Sequence, residues 1–447
     1  MNRKYIQRTI DQHLIQWKED PNHMILLVRG ARQIGKTSAI RHLGDSFTHY
    51  LEVDLSERAD LHSLFTPQSS PQEICNHLSA IFNTPIIEGQ TLLFFDEIQA
   101  CPQAISKLRY FYERMPHLHV VAAGSLLEFA LEELPSFGVG RVQSIFMYPL
   151  SFQEFAYACG KKSAYDIIQQ SSPTNPPHET IHTMMIELLR TFLIIGGMPQ
   201  VVSEYVNKGN LLSCGKILNS LVVSFRDDFS KYRKRVPLNR IDETFLSVAH
   251  QNQGKFVYSK VNSNLSAEQV KNALNTLIMA GLVYPVTHSS SNGIPLGAEI
   301  NEKYRRMIYF DTGLLLKVLG LNYEDILLST NSQLINKGSL AETFVGCELT
   351  KSASPYEPTP LYCWHKESPN ADSEVDYVIS RNSEIIPLEV KAGTQGSMQS
   401  MRIFLKSKNV PYGVRTSLEN FGQLPDIDIY PLYAIPFIKN RTNYAQK

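Results

Sequence analysis

Net charge is what this sequence most plainly lacks: 43 lysines and arginines stand against 43 acidic residues, so the chain is formally neutral. A neutral chain is not a bulk polyanion binder, and any nucleic-acid surface must be a local patch. Cysteine is sparse. Its six copies, Cys75, Cys101, Cys159, Cys214, Cys347 and Cys363, form no C-x-x-C pair. That argues against a zinc site or a disulfide framework and for a reducing, cytoplasmic setting. No apolar run approaches the roughly 18 residues of a membrane span, and the first residues show no secretory apolar segment. No membrane partner is therefore expected. Internal repeats and long low-complexity tracts are missing too, which leaves the composition of an ordinary globular protein, long enough for roughly two to four domains.

What is present is organised around Gly30-Ala31-Arg32-Gln33-Ile34-Gly35-Lys36-Thr37. This stretch fits G-x-x-x-x-G-K-[ST], the phosphate-binding loop. The apolar run Met24–Val28 before it reads as a buried parallel strand, and Thr37 to Leu43 reads as a helix. Gly30 and Gly35 let the backbone turn so that amides and a helix N-terminus face phosphate. Gly30, Arg32, Gln33, Ile34, Gly35, Lys36, Thr37 and Ser38 are the candidate contacts of ATP or GTP. Lys36 would pair the β/γ-phosphates, and the Thr37 hydroxyl would ligate Mg²⁺.

Around the loop, Ile6, Ile10, Leu14 and Trp17 mark one face of a helix. Strands are expected at Tyr50–Leu55, Leu92–Asp96, His119–Ala123 and Val142–Met147, with a helix at Gln72–Phe82. The apolar strand ending in Asp96-Glu97 is the second half of a nucleotide site. Asp96 would enter the Mg²⁺ shell at the strand's carboxyl end, and Glu97 would polarise the attacking water. Ser125, at the next strand tip, would touch the γ-phosphate or the water, or is a plain turn serine. Arg141, in Gly138-Val139-Gly140-Arg141, is either an arginine finger, in cis or in trans, or an ordinary exposed arginine. Strands alternating with helices over this half predict a parallel sheet covered on both faces.

The second half starts with a polar break at 161–178, expected as a loop. A helix follows at Glu179–Ile195, and further helices run to Tyr232. Arg226, Lys231, Arg233, Lys234, Arg235 and Arg240 form the densest basic cluster. It would meet nucleic-acid phosphates or a neighbouring subunit's nucleotide, or is simply a solvated face. A helix at Asp242–Gln251, another capped by Ser266 with Gln269, and a hairpin at Leu282–Thr287 and Met307–Phe310 give the order of a winged helix. Its second helix carries only Lys271 as a base. In the last stretch Lys337–Glu342 opens a helix. Strands at Glu374–Ile379 and Ile385–Lys391 then bring Asp376, Glu389 and Lys391 forward, the last two on one face by strand alternation.

Asp376 followed by Glu389-Val390-Lys391 resembles the D…(D/E)-x-K site of restriction-endonuclease-like folds. There Asp376 and Glu389, with Glu342, would hold Mg²⁺, and Lys391 would steady water or phosphate. As a whole the phosphate loop, Asp96-Glu97, Ala123-Gly124-Ser125, Gly140-Arg141, Tyr148–Phe155, Gly196-Gly197-Met198-Pro199 and Asp228–Tyr232 resemble the AAA-type ATPases of bacteria and archaea. The group in question carries a C-terminal domain of unknown function. The resemblance implies an α/β architecture: a P-loop AAA-type parallel-sheet domain at 1–156, a helical connector at 157–235, a winged-helix-like domain at 236–325 and a nuclease-like α/β domain at 326–447. The expected function is ATP hydrolysis coupled to a metal-dependent nuclease-like domain acting on DNA or RNA. The alternative is a nucleotide-dependent switch that binds a protein partner, its C-terminal domain catalytically silent. Both allow a homo-oligomer.

Overall fold

Strands buried on both faces must be apolar throughout, and the runs Ile25–Val28, Leu92–Phe95 and Val120–Ala123 meet that condition. In the computed structural model, which describes residues 5–133, 140–232, 235–252, 254–262, 264–324, 338–366, 373–393 and 398–441, they are the central strands of a five-stranded parallel sheet. Its members are β1 (Ile25–Arg29), β2 (His49–Asp54), β3 (Thr91–Asp96), β4 (His119–Ala123) and β5 (Val142–Phe146), in the order β2-β3-β4-β1-β5. Five helices accompany them: α1 (Ile10–Glu19), α2 (Lys36–Gly44), α3 (Pro71–Phe82), α4 (Pro102–Arg114) and α5 (Leu127–Glu133). Side-chain alternation divides the core. Ile25, Leu27, Leu93, Phe95, Val120 and Ala122 share one cluster with Ile74 and Leu78 of α3 and Ile105, Leu108 and Phe111 of α4. The expected strands and the helix at Gln72–Phe82 stand within a residue or two. The first helix begins at Ile10, so Ile6 precedes it.

These elements belong to one of two compact units, Met1–Pro149 with Ser354–Pro358. The other comprises Leu150–Ala353 and Thr359–Lys447. The second unit opens with α6 (Phe152–Ala158), where Ser151 and Glu154 form a reciprocal capping box. That box explains the Pro149-Leu150-Ser151-Phe152-Gln153-Glu154 run. Next comes α7 (Lys162–Gln170), within the stretch expected to be a loop. The Ser and Pro residues that suggested a break lie after it, while Tyr165 and Ile168 are buried and hold it as a helix. The series continues with α8 (Glu179–Ile195), α9 (Pro199–Lys208), α10 (Leu211–Asp228), α11 (Leu238–His250) and α12 (Ala267–Met279).

The hairpin after α12 is formed by β6 (Val283–Ser289) and β7 (Ile300–Tyr309), but it does not stand alone. It forms one end of an eight-stranded sheet with β8 (Leu361–His365), β9 (Glu374–Arg381), β10 (Glu384–Val390), β11 (Gly413–Ser417), β12 (Gly422–Gln423) and β13 (Ile427–Pro431). The order is β12-β13-β11-β10-β9-β8-β6-β7, with β6 parallel to β8. The expected helix–helix–hairpin order is therefore present, but both hairpin strands belong to the following sheet. Among the described residues the unit also has α13 (Thr312–Val318), α14 (Gly338–Lys351) and α15 (Gln399–Lys408). Met401 and Phe404 of α15 pack on Val375 and Val378 of β9 and Trp364 of β8.

One buried carboxylate ties distant parts of this unit. Asp311 caps α13 by accepting the Leu314 amide at 2.9 Å, and its other oxygen accepts the Gly197 amide at 2.6 Å. That contact explains Gly196-Gly197. Gly196 has φ +70°, and a Cβ there would lie 2.2 Å from Asp311 Oδ1; at Gly197 it would lie 2.2 Å from the Leu150 carbonyl. Asp311→Ala removes a cap and strands a buried amide. We expect it to cost about 2–4 kcal/mol, read as a lowered denaturation midpoint at unchanged m. A loss under about 0.5 kcal/mol would remove Asp311 from this role.

Candidate functional site

The phosphate loop joins β1 to α2 and is held in the turn its motif requires. Gly30 has φ +134°, Gln33 φ +63° and Gly35 φ +96°. A Cβ at Gly30 would sit 2.2 Å from the Met147 carbonyl and 2.8 Å from Ile34, so no larger residue fits. Because α2 starts at Lys36, its first-turn amides have no intrahelical acceptors and face the loop. Ile34 is buried under the loop, while Gln33 and Ser38 are exposed and Arg32 is half-buried. Arg8 braces the turn from outside the motif. It is 8% exposed and donates to the carbonyls of Ile34 at 3.0 Å and Tyr148 at 2.7 Å. Nothing local in the sequence marks it.

Lys36 is buried and donates to the loop's own carbonyls, Gly30 at 2.9 Å and Ala31 at 2.7 Å. Burial pushes its ammonium down to about 8, while Glu97 and Asp96 nearby oppose the shift. Thr37 Oγ1 donates to Asp96 Oδ2 at 2.6 Å, and Asp96 Oδ1 accepts the Glu97 amide at 2.9 Å. Burial raises the Asp96 carboxyl; the two hydrogen bonds pull the other way. A hydroxyl and a carboxylate this close form the hard oxygen set that Mg²⁺ takes, so these residues fit that ion. Glu97 has left-handed backbone, φ +46°. Its Oε2 accepts from Ser125 Oγ at 3.1 Å and from Gln99 Nε2. The structure thus brings Lys36, Thr37, Asp96, Glu97 and Ser125 to the carboxyl edge of the sheet and adds Gln99.

Arg141 is not with them. It precedes β5, whose register pairs Val142 with Ile25 at the start of β1, whereas the phosphate loop follows the far end of β1. Its guanidinium lies on Glu113, Nε to Oε1 3.0 Å. An in-cis finger at this nucleotide site is therefore corrected by strand direction: parallel pairing sends Arg141 to the amino edge. Gly138 and Val139 lie outside the described residues.

The second unit brings Glu342, Asp376, Glu389 and Lys391 together. The β9–β10 register pairs Tyr377 with Leu388 and so sets Asp376 beside Glu389, while α14 supplies Glu342. Val390 N donates to Asp376 Oδ2 at 2.8 Å, and Lys391 Nζ to Glu389 Oε1 at 2.6 Å. The cluster has a member the sequence did not announce. Arg306 of β7, 5% exposed, places Nη1 2.8 Å from Glu342 Oε2 and 3.5 Å from Asp376 Oδ1, with Nε 3.5 Å from Glu374 Oε1. Burial disfavours its charge, but Glu342 and the other groups around it hold it well above the usual guanidinium range. Burial and the Asp376 charge push Glu342 up to about 8 and Glu389 up to about 7. Among the described residues no group of three or more His, Cys, Asp or Glu side chains is arranged to hold a metal ion. The expected metal set is corrected on that point: two of its three carboxylates face a guanidinium. The only advance signal was an arginine next to the apolar Met307-Ile308-Tyr309.

Two members of the basic cluster are matched within the unit. Arg226 makes a two-pronged pair with Asp242 at 2.6 and 2.7 Å, and Lys231 pairs with Asp228 at 2.9 Å. Arg233 and Lys234, like Lys337, lie outside the described residues. The second helix of the winged-helix order, α12, buries Val270, Ala273, Leu274 and Leu277.

Lys36 generates a pH prediction. Polyphosphate favours the charged ammonium, so in the complex its proton is held to higher pH than in the free protein. Binding then takes up a proton above pH 8, and affinity should weaken by up to about tenfold per unit as pH rises beyond it. Lys36→Arg, charged throughout, should show a flat profile in a titration with a fluorescent ATP analogue. A flat wild-type profile between pH 7 and 10 would contradict the assignment.

A family model of the AAA domain matches residues 22–156. Models of two domains of unknown function, DUF8612 and DUF4143, match residues 186–325 and 337–435. Curated proteins give no match. Similar solved structures include a Walker-type ATPase of Pyrococcus abyssi, 14% identical over 72% of this chain and 97% of that one, TM-score 0.45. Another is the Aeropyrum pernix Orc1 protein in complex with DNA, 13% identical over 72% and 95%, TM-score 0.31. With the loop motif and the parallel sheet, the match identifies residues 22–156 as an AAA-type P-loop ATPase domain, in a chain that carries additional domains of unknown function.

Proposed function

We propose that the chain binds ATP with Mg²⁺ at Gly30–Thr37 and hydrolyses it, and that the nucleotide state switches how its C-terminal region engages a partner. The observation that carries the nucleotide chemistry is the 2.6 Å contact of Thr37 with Asp96, beside the buried Lys36. Bound Mg²⁺ supplies charge neutralisation on the phosphates. Thr37 and Asp96 are its holders, Lys36 turns from the loop carbonyls to phosphate oxygens, and Glu97 accepts the proton of the attacking water. Gln99 and Ser125 orient Glu97 until substrate arrives. Arg32, Gln33, Ile34 and Ser38 contribute backbone to the cradle.

Two readings of the C-terminal region follow. The convergence of Asp376, Glu389, Lys391 and Glu342 supports a nuclease-like site acting on DNA or RNA. The Arg306 guanidinium among those acids supports the other reading, a switch that binds a protein partner and cuts nothing, and we favour it. Arg141 keeps a role only across subunits of a homo-oligomer.

Lys36→Ala should abolish ATP binding. Glu97→Gln should retain binding while hydrolysis slows by about 10²–10⁴-fold, measured as phosphate release. Unchanged turnover in both variants would sink the ATPase assignment to this site. Wild-type protein should cleave neither single- nor double-stranded DNA or RNA with Mg²⁺ or Mn²⁺, with or without ATP; metal-dependent cleavage that Asp376→Asn abolishes would restore the nuclease.

A further inference from the structure

The acid cluster of the second unit poses a charge problem. Glu342, Glu374, Asp376 and Glu389 share a buried region with two cations, Arg306 and Lys391. Carboxylates held close in surroundings poor in water repel unless a cation matches them. Two kinds of cation serve. A divalent ion takes carboxylate oxygens as ligands, and a guanidinium offers a planar fork of five donors to the same oxygens.

This chain holds the second kind. Besides its contacts with Glu342, Asp376 and Glu374, Arg306 donates Nη2 to the backbone carbonyl of Asp376. Asp376 Oδ2 is taken by the Val390 amide at 2.8 Å and Glu389 Oε1 by Lys391 at 2.6 Å. Glu389 Oε2 and Glu374 Oε1 are left buried without a hydrogen bond, the latter 3.5 Å from Arg306 Nε. Both Asp376 oxygens and one oxygen each of Glu342 and Glu389 are engaged, and a guanidinium already lies against Glu342, Asp376 and Glu374, so the donor set as it stands does not fit a divalent ion. The cation and the acids also come from different stretches. Arg306 lies in the segment matched over 186–325, and all four acids lie in the segment matched over 337–435.

We propose that Arg306 is the resident cation of this cluster and excludes divalent metal from it, so that metal enters only when β7 withdraws the guanidinium. The proposal rests on reading Asp376, Glu389 and Lys391 as a D…E-x-K set, and it makes that set conditional. It needs neither ATP hydrolysis nor cleavage.

The test uses the full chain without nucleotide and Mn²⁺ as the probe, with bound ion counted from the loss of the free-ion paramagnetic signal. Asp376→Asn serves as the control that separates this cluster from Thr37 and Asp96. Wild type should take up no Mn²⁺ that Asp376→Asn removes. Arg306→Met should gain one such ion per chain, bound tighter than in wild type by about tenfold or more. The same variant should melt below wild type in chelator and recover with Mn²⁺, while wild type stays unchanged. Should Arg306→Met fail to fold, Arg306→Met with Glu342→Gln removes one acid along with the cation and should still gain the ion. Asp376-dependent Mn²⁺ binding by wild type would overturn the proposal, as would a folded Arg306 variant with no gain. Cleavage is scored separately on DNA and RNA. An Arg306 variant that binds Mn²⁺ and cuts nothing supports the exclusion while rejecting the nuclease.

Discussion

The hydrogen bond from Thr37 to Asp96 rests on a constraint that reaches through the whole first unit: all five strands run the same way. Parallel strands deliver their carboxyl ends to one edge, so a loop after β1 and an acid ending β3 become neighbours although β4 lies between their strands. The loop must then pass close under the β5 exit, where only glycine clears the Met147 carbonyl. Arg8 fixes that passage by holding the loop and the β5 exit from one guanidinium. Such a fork, buried and donating to two carbonyls, is hard to replace. Lysine is a point donor, and an apolar side chain would leave two acceptors bare. The same directionality disposes of Arg141 as a finger in cis, because a residue that starts a parallel strand cannot reach the edge where its neighbour ends.

What could be read from the sequence follows from how local its cause is. The central strands were legible because burial on both faces demands unbroken apolar runs, and the loop because tight phosphate binding demands glycine at fixed spacing. Asp96 and Glu97 were legible as the end of such a run. Arg8, Gln99 and Arg306 were not, since a single polar residue is defined by partners far along the chain and leaves no period behind. Helix α7 was hidden by Ser and Pro residues that in fact follow it. The hairpin was read as a wing, but strand alternation does not say which other strand will pair. Only the β6–β8 pairing, set by distant sequence, makes it part of the larger sheet.

The two acidic sites then show one rule with opposite outcomes. At Asp96 the neighbours are a hydroxyl, an amide and a lysine already occupied with loop carbonyls. The carboxylate lacks a dedicated cation, and burial raises it. That is a site tensioned toward an incoming ion with its phosphates, and its chemistry waits on a ligand. At Asp376 four carboxylates meet a guanidinium supplied by the chain itself. Burial first, and then the charge of Asp376, make Glu342 and Glu389 hold their protons to higher pH. A cluster held by one resident guanidinium is sensitive to its loss, because removing Arg306 would leave several acids facing one another. On the proposals made above, it stays closed to divalent ions while that guanidinium is in place, so that the first site would respond to solution and the second to the position of one strand. A protein that senses nucleotide at one place and changes state at another needs both kinds.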